Sequence, residues 1–163
     1  MSTPTDIERV SYGGPTGSLA LGAHRQVIQS VGATRTLTAA ESGALCLFDR
    51  AAGNVYTLPT PVEGMKFEFL ATVAVTSNAY KVITASITTE FLLGAVKSTK
   101  LAAGTDVFQA DGTSSHVAIS SDGATKGGLI GSAFSLTAIN TTQWLIEGSL
   151  VGSGTLADPF AAS

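Results

Sequence analysis

Hydrophobic and polar positions alternate without a break from Met65 onward. Met65, Phe67, Phe69, Ala71, Val73 and Val75 share one face, and Lys66, Glu68 and Thr72 share the other. That period of two marks a half-buried β-strand over 65–75, with Phe67, Phe69 and Val73 pointing into a core. A Pro59-Thr60-Pro61 loop closed by Gly64 precedes it, and a short strand precedes the loop. Neither proline can donate to a ladder, so the arrangement reads as a hairpin around Pro59–Pro61.

Strand signals recur at short spacing from Thr34. They predict strands near 34–38, 44–49, 54–58, 65–75, 80–85, 91–97, 105–109, 115–120, 127–138 and 142–151, with Gly131 as a candidate break. Turn residues separate them: Glu41-Ser42-Gly43, Ala52-Gly53-Asn54, Thr76-Ser77-Asn78, Asp111-Gly112 and Asp122-Gly123. The Asp-Gly pairs suit hairpin turns that need positive φ. No stretch of twelve or more residues holds a capped 3.6-residue period. Short strands every ~8–12 residues imply an all-β fold, an antiparallel β-sandwich or jelly-roll-like barrel with extended N- and C-terminal arms.

The two ends lack this pattern. Residues 1–32 read as an N-terminal arm, 33–151 as the β-sandwich domain and 152–163 as a C-terminal tail. The arm carries loop chemistry at Ser11-Tyr12-Gly13-Gly14-Pro15, yet apolar residues are scattered through it. Ile7, Val10, Tyr12, Leu19 and Leu21 are the candidate partner-binding residues, because a segment this apolar and this irregular gains order by docking. Leu156 and Phe160 are candidate anchors for the tail.

Composition sharpens this reading. Hydrophobic residues make up 44% of the 163 residues, enough for one sizeable core. Charged residues make up only 13%, about half the usual ~25%. Free monomers usually carry more charge, so much of the surface is expected to lie against copies or partners. A net charge of −3 with no Lys/Arg cluster argues against nucleic acid. No apolar run approaches the ~18 residues of a membrane span. The start, MSTPTDIERV, shows no basic segment followed by an apolar one, so no secretory signal is expected.

Candidate chemistry is sparse. His24, His116 and Cys46 are the only histidines and cysteine, and they do not make the closely spaced ligand pairs of a zinc site. Cys46 lies in the apolar run Ala44–Phe48, where a small buried hydrophobe is expected and a thiolate is disfavoured. No Gly-x-Ser-x-Gly elbow is present. Asp49, Glu63, Asp111 and Asp122 stand beside turns, which explains them. Lys126-Gly127-Gly128-Leu129-Ile130-Gly131 has the wrong order for a phosphate loop. Asn140-Thr141-Thr142 matches a glycosylation acceptor, a chance match without a secretory signal. Trp144 reads as a core or interface aromatic, with carbohydrate stacking as the alternative. No catalytic, cofactor or metal residues are assigned, and an enzyme is not expected.

Four runs carry a resemblance. They are Leu37-Thr38-Ala39-Ala40-Glu41-Ser42-Gly43, Gly53-Asn54-Val55-Tyr56-Thr57-Leu58-Pro59-Thr60-Pro61, Gly64-Met65-Lys66-Phe67-Glu68-Phe69, and Thr76-Ser77-Asn78-Ala79-Tyr80-Lys81-Val82-Ile83-Thr84. Over about residues 36–85 the chain resembles bacteriophage virion proteins, among them head decoration (cement) proteins and some tail-fibre or spike modules. The resemblance brings no catalytic residues. It implies a structural protein that decorates the capsid by binding across adjacent major capsid proteins. It also implies self-association as a homotrimer at local three-fold positions, and a place on the virion after synthesis in a host cytoplasm. A tail-fibre or receptor-binding module is the alternative. A lyase or depolymerase is a third reading, and it would need a convergent acid/base cluster.

Overall fold

The computed structural model describes residues 25–30, 32–100 and 102–163. These form twelve strands: β1 (Val27–Ile28), β2 (Thr34–Thr36), β3 (Leu45–Phe48), β4 (Asn54–Thr57), β5 (Lys66–Ala71), β6 (Tyr80–Ile83), β7 (Phe91–Lys100), β8 (Thr105–Asp111), β9 (Ala118–Ser121), β10 (Ala133–Ala138), β11 (Gln143–Gly152) and β12 (Phe160–Ala161). A single 3-10 turn, Ala39–Glu41, follows β2. Seven strands make one sheet, in the order β1-β3-β5-β10-β11-β7-β8, and five make the other, β12-β9-β6-β4-β2. The all-β sandwich expected from the sequence is present.

Both sheets are mixed rather than antiparallel. β1–β3, β3–β5 and β11–β7 are parallel pairs in the larger sheet, and β2–β4 and β4–β6 in the smaller. The cause is the route of the chain. From β1 to β6 it changes sheet at every step, so neighbours in that stretch are two strands apart in sequence and run the same way, whereas β7 is set apart from β5 by β10 and β11 and runs parallel to β11. The Pro59–Pro61 segment is therefore not a hairpin. It carries the chain from β4 in the smaller sheet to β5 in the larger. Both Asp-Gly pairs also serve crossings. Gly112 and Gly123 have the expected positive φ, +78° each, but each leads to a strand of the opposite sheet. The hairpins are β7–β8 and β10–β11.

The core lies between the sheets. Phe67 and Phe69 are fully buried from β5, as the alternation predicts. The strand stops at Ala71, so Val73 lies beyond it and is only half-buried, whereas Val75 is buried. Phe48 stacks on Tyr80 at 4.6 Å and meets Tyr56 at 5.5 Å, and Phe69 stacks on Phe134 at 5.1 Å. Trp144 is fully buried beside Phe67. Burying a side chain of this size contributes roughly 1.5–3 kcal/mol, so these rings dominate cohesion.

Other boundaries shift. The expected strand over 127–138 is ordered as β10 from Ala133 only, and Gly127, Gly128 and Gly131 before it all take positive φ. β1 brings into the sheet residues that the sequence pattern groups with the arm. The tail supplies β12, an edge of the smaller sheet, with Leu156 and Phe160 buried as anchors.

Candidate interaction surfaces

The arm residues Ile7, Val10, Tyr12, Leu19 and Leu21, and His24, lie outside the described residues. The described chain starts at the edge of the seven-stranded sheet. Arg25 is fixed there: its Nη1 donates to Glu68 Oε2 at 2.7 Å, and its Nε and Nη2 donate to the Gly43 carbonyl at 3.2 and 3.0 Å. Lys66 Nζ lies 3.1 Å from Glu68 Oε1. Hydrogen bonds from Arg25 and then Lys66 hold the Glu68 carboxyl below the usual carboxylate range.

Beside this junction lies the outer face of the seven-stranded sheet. Alternation turns Leu45, Leu47, Leu70, Leu93 and Leu145 outward, where they are half-buried by their neighbours alone. A shallow depression of about 380 Å³ opens among Leu45, Leu70, Phe134, Glu68 and Glu147. Gly148 lines it without a side chain, and a Cβ there would come within 2.4 Å of the Ala133 carbonyl oxygen and of Phe134 Cβ. A second depression, lined by Thr34, Gly53, Val55, Asn78 and Lys81, marks one end of the five-stranded sheet.

The four runs that carry the resemblance turn out to touch one another. Glu41 Oε2 accepts the Thr38 N–H at 2.8 Å, closing the 3-10 turn. Ser42 Oγ accepts the Lys66 N–H at 3.1 Å, and the Gly43 N–H donates to the Lys66 carbonyl at 2.6 Å, tying that turn to the start of β5. Leu58 is buried and its N–H bonds the Ile83 carbonyl. Asn78, at φ +57°, donates from Nδ2 to the Ala52 carbonyl at 2.9 Å. These positions build the crossings between sheets.

The reactive side chains are scattered. Cys46 is fully buried, and burial pushes its thiol up to about 12. His116 Nδ1 lies 2.7 Å from Asp111 Oδ1, and its ring packs edge-on to Phe160. The Thr113 hydroxyl, then His116, pull Asp111 down to about 2. This pair closes the loop after β8. Glu90, which the sequence pattern does not single out, is 4% exposed. Burial raises its carboxyl pKa, against the pull of the Ser86 and Ala85 N–H groups that donate to it. Its backbone N–H also bonds the Ser86 carbonyl, so its place is to close the turn before β7. Among the described residues no three His, Cys, Asp or Glu side chains come together as a metal site. Compared with known proteins, the chain matches no family model and no curated protein.

Proposed function

We propose that the chain is a structural virion protein that decorates a bacteriophage capsid, binding across adjacent major capsid proteins. The observation that carries the reading is the outer face of the seven-stranded sheet. It is broad and leucine-rich, in a chain with only 13% charged residues, and it adjoins the point where residues 1–24 join the domain. A surface of this kind suits permanent contact better than free solution. The resemblance over residues 36–85 points the same way, and its residues act as scaffold. Copies associate as trimers at local three-fold positions, so that several weak contacts act together.

Purified full-length protein and a variant lacking residues 2–24 are added to undecorated capsids, followed by co-sedimentation and electron microscopy. The full-length protein is expected as knobs on the shell, and the truncated one is expected to stay folded but unbound. Equal binding of both would remove the arm from the reading. Density on the tail, or no binding to shells, would overturn decoration in favour of a fibre module.

A further inference from the structure

The four sheet edges are unequal. β1 and β12 are two residues long and β2 is three, whereas β8 is seven. Very short edge strands are a common protection against pairing with another chain. Among the described residues β8 is the one long edge: it contains no proline and no lysine, its charges are the carboxylates of Asp106 and Asp111, and Val107 between them is 67% exposed.

The hydrogen-bond parity of β8 is fixed at both ends. The Gly112 N–H donates to the Leu92 carbonyl, and the Lys100 N–H donates to the Gly104 carbonyl. The Asp111 N–H instead turns away from β7, and its nitrogen lies 3.2 Å from His116 Nδ1. Antiparallel pairing alternates, so even-numbered residues of β8 bond β7. At Thr105, Val107 and Gln109 the N–H and C=O groups face outward, and among the described residues no partner meets them.

These outward groups are symmetric about Val107. A two-fold axis there sets Thr105 opposite Gln109 of the second copy and Val107 opposite its counterpart. Three N–H and three C=O groups on each copy are then satisfied together. Asp106 falls opposite Phe108, so no like charges are directly paired. We propose that β8 is a self-association edge, at which a second copy of this chain adds antiparallel and joins the two seven-stranded sheets into one. This contact is independent of capsid binding. It would pair monomers, or pair the trimers of the decoration reading.

Val107→Pro is the sharpest test, because the N–H it removes bonds nothing in β7. Val107→Lys places a charge at the same point. Native protein and both variants are compared by sedimentation equilibrium at micromolar concentration, without capsids, and by amide exchange. Thermal melts check that each is folded. The native mass is expected to halve in both variants, with exchange protection lost at Thr105, Val107 and Gln109. A native monomer with fast exchange at those amides would overturn the proposal. So would an oligomer whose mass Val107→Lys leaves unchanged. Protected amides in a monomer would show that the chain covers its own edge, and would overturn it equally.

Discussion

From β1 to β6 the chain winds, and from β7 to β12 it also folds back. In the winding half every link crosses the sandwich, and alternate crossings stack. The turn at Ala51–Gly53 accepts the Thr76 N–H on the Ala51 carbonyl at 2.8 Å and the Asn78 side chain on the Ala52 carbonyl. In the other half β7–β8 and β10–β11 are simple hairpins, joined to the rest by crossings. The bends use the same chemistry. Gly53 has φ +79° in a crossing, and Gly104 has φ +118° in a hairpin. A glycine marks where the chain turns. Where the chain goes depends on what the flanking strands face: Phe48 of β3 meets Tyr56 of β4 across the interior, not alongside.

The contrast is broken most severely where the halves meet. Phe69 of β5 is fully buried against Phe134 of β10, so Phe69→Ala is expected to cost on the order of 3–5 kcal/mol. A denaturant titration with an unchanged midpoint would remove this seam from the core.

The stacking of the crossings is sharpened by a pair of glycines. A Cβ on Gly53 would come within 2.6 Å of the Ala79 carbonyl oxygen, whereas a Cβ on Gly64, at φ +85°, would meet nothing within 4 Å. Both alanine variants incur backbone strain of roughly 1–3 kcal/mol. Gly53→Ala is expected to be the worse of the two, because the opposing atom is backbone. Equal melting temperatures would mean that the stacked turns separate freely.

The smallest effect is expected at the loop after β8. Asp111 is held at about 2, below its ordinary 3.8, by Thr113 and His116. A lowered carboxylate stabilises the fold above its ordinary pKa, and that contribution is lost as pH falls through the folded value. Asp111→Asn should therefore lower the melting temperature slightly near neutral pH, with the gap closing as pH falls through about 2. A gap independent of pH would show that the side chain acts only through its hydrogen bonds.

The sequence revealed the strands better than their pairing. Alternation at Met65–Ala71 identified both the strand and its buried face, because each residue reports its own environment. It overran at Val73, since an alternating pattern does not record where a partner strand ends. The crossing at Pro59–Pro61 passed for a hairpin for the reason already given: turn chemistry is local and destination is not. Cys46 and Trp144 were readable as buried, being apolar residues in apolar runs. Glu90 was not, because a carboxylate that closes a turn from inside leaves no periodic mark. The uneven sheet edges were also hidden, since strand length in sequence does not tell which strands lack a neighbour.

The winding route has a consequence for synthesis. β5 pairs with β3 on one side and with β10 on the other. As the chain leaves the ribosome, the first partner is made before β5, but the second does not exist until Ala133 has been added. Through that interval the aromatic strand at the centre of the molecule has one open flank. Contacts so distant in sequence make folding slow, and an open apolar flank is where nascent chains associate. A chaperone acting on this protein would therefore find its target at Phe67–Phe69, a segment that the finished fold hides completely.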